Sequence, residues 1–146
     1  MSLTEIYAAI PHREPFLFIG EIVEQTDDRI VCRKTFAADD WFFAGHYPDH
    51  PLVPGVLLCE SAMQAGAVLL SRLGGDMHGK MPVATRMNDV RFKRIVRPGE
   101  TIDIEVQLRE KLAEAYFFDA KVTCVGKLAV SLNFACMLAS KAEAAK

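Results

Sequence analysis

The sequence predicts a single α+β domain in which an antiparallel sheet curves around one enclosed helix. Residues Val56–Leu73 are apolar around most of a helical circumference, which marks a helix wrapped by other elements. The second half of the chain alternates apolar and polar residues with a period of two, the pattern of strands buried on one face. No linker, repeat or low-complexity tract divides the 146 residues, so one domain over 1–146 is expected.

Ser2–Glu5 reads as a capping box, with a hydroxyl at the N-cap and a glutamate three residues on. It opens a short helix ending near Ile10, before Pro11. Phe16–Val23 and Ile30–Phe36 are apolar and β-branched and flank a turn at Thr26–Asp28, so they are expected as a hairpin. From Ala38 to Gly55 the periodicity stops. Trp41, Phe42 and Phe43 are followed by Gly45, Pro48, Pro51, Pro54 and Gly55, a density of breakers that excludes helix and inner strand. The aromatics need burial, so this is an ordered loop. The long helix follows, stopped at Gly74-Gly75. Strands are expected at Pro82–Met87, Val90–Val96, Thr101–Arg109, Tyr116–Cys124 and Leu128–Leu138. In the third of these Ile102, Ile104, Val106 and Leu108 point inward. The last two join at Val125-Gly126-Lys127, and the tail from Lys141 is expected to fray.

Composition excludes several classes. The chain is 51% hydrophobic and 25% charged, ordinary globular usage. A formal charge of -2 provides no global field toward nucleic acid or a membrane surface. The longest strongly apolar stretch, Val56–Leu70, contains Glu60, Ser61 and Gln64 and is short for a bilayer. Met1–Glu5 lacks the start of a signal peptide. Cys32, Cys59, Cys124 and Cys136 form no CxxC pair and read as reduced core thiols. A cytoplasmic protein is expected.

Two residues stand out chemically. Glu60 lies in the second turn of an otherwise apolar helix, where a carboxylate costs several kcal/mol unless paired or neutralised. A structural glutamate paired with an arginine is one explanation. The other is a carboxyl raised by desolvation and kept protonated as a general acid. His46 lies in the proline-braced loop, where a rigid scaffold lets a loop carry function. A neutral histidine base beside a protonated carboxyl suits the loss of water next to a carbonyl. Pro54-Gly55 opens the helix and offers free N–H groups to an enolate-like oxygen. His46 and His50 are four apart, but Pro48 keeps them off one helical face, so no metal site is expected. Cys59 and Ser61 have no base at catalytic spacing and read as packing residues.

Pro11–Leu17 (PHREPFL), Gly45–Gly55 (GHYPDHPLVPG), Glu60, Arg91–Arg94 (RFKR) and Arg97–Gly99 (RPG) closely resemble, in order, the (3R)-hydroxyacyl-[acyl carrier protein] dehydratases. The resemblance implies a hotdog fold, a long helix wrapped by an antiparallel sheet. It implies dimers joined edge to edge, with three dimers forming a hexamer in many members. In the family the histidine and the acid meet from two subunits. On this chain they are His46 and Glu60, with Gly55 N–H binding the carbonyl and Gln64 orienting the carboxyl group. No cofactor is implied, because the acyl substrate rides on the phosphopantetheine arm of the carrier protein. Tyr47 stands where phenylalanine is usual, and Met87–Asp89 replaces a glycine-containing stretch near the acyl tunnel. Glutamate at position 60 favours the simple dehydratase over the related dehydratase-isomerase, which has aspartate there. Arg86, Arg91, Lys93, Arg94 and Arg97 form a basic cluster that reads either as a solvated strand face or as a dock for the acidic carrier, the latter resting on Arg91, Lys93, Arg94 and Arg97. Two alternatives to the dehydratase are a hotdog acyl-thioester hydrolase and a non-catalytic acyl-thioester-binding module.

Overall fold

Helix α1 (Leu3–Ala9) opens the chain and buries Ile6. Helix α2 runs from Gly55 to Leu73 and buries nearly every side chain from Leu58 to Leu70. By length and composition α2 could cross a membrane. Its apolar circumference is instead covered by strands β2 to β6, all of which it touches. The computed structural model describes residues 3–73 and 79–140.

The six strands are β1 (Glu21–Gln25), β2 (Arg29–Thr35), β3 (Lys80–Phe92), β4 (Thr101–Leu112), β5 (Ala115–Cys124) and β6 (Lys127–Ser140). They form one sheet in the order β1-β2-β4-β5-β6-β3, with every neighbouring pair antiparallel. β2 and β3 lie far apart in this order, so α2 carries the chain across the sheet to its other edge. This is the hotdog arrangement. Ile102, Ile104 and Val106 are fully buried, as their alternation predicts. Leu108 is only half-buried, because a register shift between Leu108 and Glu110 breaks the alternation. Val125 and Gly126 both take positive φ, 52° and 73°, as a tight two-residue hairpin requires.

Two strand expectations change. In the Phe16–Val23 run pairing begins only at Glu21, although Leu17, Phe18 and Ile19 are buried. The amide of Phe18 and the carbonyl of Phe16 are bonded to the side chain of Gln64 instead of a neighbouring strand. Pro82–Met87 and Val90–Val96 do not form two strands. One strand, β3, passes through Asn88 and Asp89 with register shifts at Ala84/Arg86 and Asn88/Arg91, and Asp89 takes φ 52°. Asn88 and Asp89 sit in a bulge, which bends a strand without ending it. Beyond Phe92 the chain leaves its ladder, and Val96 O accepts the amide of Val53 from the proline-rich loop. Ser2, Gly74-Gly75 and the tail from Lys141 lie outside the described residues.

Midway along α2 the helix packs tightly on the sheet at Gly66, where a Cβ would lie 2.7 Å from the Phe134 ring. Phe134 is itself buried and stacked on Phe118, with centroids 5.0 Å apart. Gly66→Val is expected to lower stability by about 1–3 kcal/mol through overpacking, despite valine's better helix propensity. Urea unfolding measures this. An unchanged or raised midpoint would mean that Phe134 yields freely.

Candidate active site

α2 presents two polar side chains inward, one helical turn apart. Gln64 is 1% exposed and three of its hydrogen-bonding positions are filled. Its Oε1 accepts the amide of Phe18 at 2.8 Å, and its Nε2 donates to Phe16 O at 3.1 Å and to Glu60 Oε2 at 3.0 Å. The orientation of the Glu60 carboxyl by Gln64 is therefore present in the geometry. The same amide also pins the Phe16–Phe18 segment onto the helix. The Glu60 side chain is 21% exposed within the single chain, so it is less deeply buried than its apolar neighbours in the sequence suggest.

Residues Pro11–Pro15 lie over this carboxyl. Arg13 holds the turn by donating to Ile10 O, His12 O and Tyr7 O. The Tyr7 hydroxyl donates to both oxygens of Glu14, raising the tyrosine's pKa and lowering the glutamate's. This arrangement brings His12 Nε2 to 3.7 Å from Glu60 Oε2. The sequence placed His12 in a motif without giving it a role. The only signal it offered was a histidine in a proline-flanked segment (Pro11, Pro15) directly after a helix.

The loop bearing His46 is tied to the same segment. Residues Trp41–Ala44 form a single 3₁₀ turn that buries Phe42 and Phe43. Phe42 packs at 6.3 Å from Phe18 and 6.0 Å from Phe36, while exposed Trp41 donates its ring N–H to Pro15 O. Tyr47 takes φ 53°, a conformation that costs a bulky residue about 1–3 kcal/mol unless its surroundings impose it. The adjacent His46 Nδ1 lies 3.0 Å from Leu52 O. A carbonyl only accepts, so Nδ1 carries a proton, and in the neutral ring the lone pair lies on Nε2. The His46 ring is thereby held in the tautomer that a base requires. Among the described residues no hydrogen bond or ion pair joins His46 to Glu60.

Gly55 is the first residue of α2, so its N–H has no partner within the helix. It lies in the wall of a cavity of about 730 Å³ shared with Leu52, Val56, Phe92, Ile95 and three basic residues. A Cβ at position 55 would meet the Phe92 ring at 2.6 Å, so glycine is required where helix and ring converge. The cavity divides the basic cluster. Lys93, Arg94 and Arg97 line it, whereas Arg91 is exposed and paired with Asp89 Oδ1 at 2.9 Å. Arg86 is exposed on β3, and Arg94 is half-buried with a buried Nε that lacks a partner.

The residues flanking Glu60 are not nucleophiles. Ser61 donates its hydroxyl to Leu57 O at 3.2 Å, and burial raises the Cys59 thiol. On β6, burial and then the nearby Glu60 charge push Cys136 to about 12. A thiol in that range is protonated and inert at neutral pH.

Comparison with known proteins shows the family. The FabA-like domain matches residues 10–133, from just before His12 to beyond the basic segment. The chain belongs to the FabA-like family. It is 38% identical over 131 residues to the 3-hydroxyacyl-[acyl-carrier-protein] dehydratase FabZ of Clostridium perfringens, covering 90% of this chain and 94% of that one. It is 40% identical over 130 residues to FabZ of Chloroflexus aggregans, covering 88% and 90%. In fold, this FabA-like chain is similar to the dehydratase heterocomplex ApeI:P from Xenorhabdus doucetiae, with TM-score 0.80, 18% identity, and 96% and 94% covered. A hypothetical thioesterase with coenzyme A from Streptococcus pneumoniae shares the fold at TM-score 0.65 and 13% identity, with 82% and 88% covered.

Proposed function

We propose that this chain dehydrates (3R)-3-hydroxyacyl-[acyl-carrier-protein] to the trans-2-enoyl thioester, with His46 as base and Glu60 as acid. The carrying observation is the His46 Nδ1 to Leu52 O hydrogen bond, which leaves Nε2 free to take a proton. His46 Nε2 removes the α-proton, and the electron pair forms the C2–C3 double bond as the C3–O bond breaks. Glu60 gives its proton to the departing hydroxyl, which leaves as water. Gly55 N–H holds the thioester oxygen as it gains enolate character. The proton on His46 returns to Glu60 through solvent, so the step is redox-neutral and needs no cofactor. Relatives named FabZ at 38–40% identity over most of the chain support this reading. The chain acts in fatty-acid synthesis, in the cytoplasm.

The two subunits of a dimer share each site. β3 is an edge strand lying mostly exposed, and Met87, Phe92 and Ile95 add apolar surface on or just beyond it. A long open edge of this kind is a template for a second chain. Pairing β3 to β3 would let His46 of one subunit approach Glu60 of the other, consistent with the lack of a contact between them within one chain. Three such dimers would form the hexamer.

His46→Ala and Glu60→Gln are each expected to reduce turnover at least about 10²-fold with the fold retained. Circular dichroism and an enoyl-thioester absorbance assay measure the two. Near-wild-type turnover in either variant would remove that residue from the mechanism, and release of a free thiol instead of the enoyl product would indicate a hydrolase.

Mixing the two inactive variants should restore part of the activity in hybrid dimers. Failure to recover any in verified hybrids would place both residues of a site on one chain.

Arg91, Lys93, Arg94 and Arg97 dock the acidic carrier, with Arg91 exposed on β3 and Lys93, Arg94 and Arg97 around the cavity. Arg91→Glu with Lys93→Glu should weaken use of a carrier-bound substrate and leave a small thioester analogue nearly unaffected. Added salt should act like the mutations, because exposed charges are screened over roughly 10 Å at 0.1 M. Equal losses on both substrates would make the cluster structural or part of the acyl tunnel.

A further inference from the structure

We propose that His12 is a positioning residue for Glu60, fixing which carboxyl oxygen carries the catalytic proton and holding the charge left when that proton departs. The inference rests on the acid role given to Glu60 above. Its basis is the environment of the His12 ring. Nε2 lies 3.7 Å from Glu60 Oε2, and Nδ1 is buried with no hydrogen-bond partner. A histidine that serves only packing usually satisfies its buried nitrogen with a backbone group or water. This ring points its other nitrogen at the carboxyl instead.

The tautomer follows from those two contacts. With the proton on Nε2, the ring directs an N–H at Glu60 Oε2 and leaves only an idle lone pair on buried Nδ1. The opposite tautomer would bury an N–H donor with no acceptor, the more costly of the two defects. The backbone around the ring is held by Arg13, which bonds the carbonyls of Ile10 and His12 at 2.9 and 2.7 Å.

Two N–H groups therefore converge on one oxygen, Gln64 Nε2 at 3.0 Å and His12 Nε2 at 3.7 Å, both on Oε2. An oxygen that receives donors is a poor place for a proton of its own. The acid proton consequently sits on Oε1, and the carboxyl rotamer is fixed with Oε1 toward the substrate. When Oε1 gives its proton to the leaving hydroxyl, the C3–O bond breaks, water departs and a carboxylate remains. Its charge is delocalised onto Oε2, where the two donors stand. At 3.7 Å the His12 contact is longer than a hydrogen bond, and such contacts commonly shorten in the reacting complex. Cys136 of β6 also lies within the electrostatic influence of Glu60, and its protonated thiol adds no charge. Among the described residues no arginine or lysine is paired with Glu60, so His12 and Gln64 are the donors available to it within the chain.

A double-mutant cycle on a 3-hydroxyacyl thioester tests this. His12→Ala should lower kcat by about tenfold or more with KM nearly unchanged, the scale of one hydrogen bond to a charged group. Introduced into Glu60→Gln, the same change should have no further effect, because the charge His12 serves is gone. His12→Gln, which offers an amide N–H to Oε2, should recover most of kcat. Wild-type kcat in His12→Ala, or an equal loss with and without Glu60, would overturn the proposal in favour of a structural role. If circular dichroism shows that His12→Ala is unfolded, His12→Gln decides: retained kcat supports the proposal and a tenfold loss with the fold intact overturns it. Near-wild-type turnover in Glu60→Gln alone would instead remove the acid role on which the inference rests. A dead Glu60→Gln with an additive cycle would leave that role standing and refute only the part given to His12.

Discussion

Gln64 sits inside the protein on a helix whose other neighbours are almost all hydrocarbon, and a buried amide there must find partners or destabilise the fold by about 1–3 kcal/mol per unmet group. The partners it finds organise the site. The amide oxygen accepts from Phe18 N–H and the amide nitrogen donates to Phe16 O, which holds the segment before β1 along α2 and out of the sheet. The same amide nitrogen binds Glu60, so the segment and the carboxyl are located relative to each other by one rigid planar group. From that contact follow the placement of His12 over the carboxyl, the burial of Leu17, Phe18 and Ile19, and the docking of Phe42 against Phe18.

The loop from Trp41 to Gly55 illustrates how rigidity and chemistry combine. Its prolines limit the backbone, its two phenylalanines bury it, and its ends are bonded to distant elements through Trp41 to Pro15 and Val53 to Val96. Within this loop Tyr47 takes a positive φ and the adjacent His46 directs its Nδ1–H at Leu52 O. Leu52 also lines the cavity, so the residue that fixes the histidine tautomer belongs to the wall of the chamber that Gly55 opens onto. Strain at one residue is offset by packing at several others, and in return a ring nitrogen is left free for a base.

The sheet is asymmetric in its exposure. β4, β5 and β6 lie inside it and bury alternate residues, whereas β3, on the edge beside β6, leaves most of its length exposed. The cavity opens near that edge, lined by Phe92, the last residue of β3, and by the basic residues that follow it. Edge and cavity therefore share one region of the molecule, and Leu52, whose carbonyl meets His46 Nδ1, belongs to the cavity wall.

Much of this was legible in the sequence. The enclosed helix follows from an apolar circumference, three of the later strands from period-two alternation, and the tight turn at Val125-Gly126 from its residues, because these are local consequences of backbone geometry. His46 and Glu60 stood out because a proline-braced loop and a carboxylate in an apolar helix are locally unusual. Other features were decided only by tertiary structure. The Phe16–Ile19 run has strand composition, yet its hydrogen bonds go to Gln64, forty-six residues further on from Phe18. The break expected between Pro82–Met87 and Val90–Val96 became a bulge, because pairing with β6 resumes on both sides of it. The basic cluster divided between an exposed ion pair and a cavity wall, which depends on the side of the chain each residue faces after Phe92 leaves the ladder. His12 reached Glu60 only because a turn, an arginine and a buried amide all fold the segment back onto α2, and no local pattern records contacts between residues forty-eight positions apart. A sequence states local geometry and burial directly. Which distant polar groups satisfy one another is settled only when the chain closes on itself.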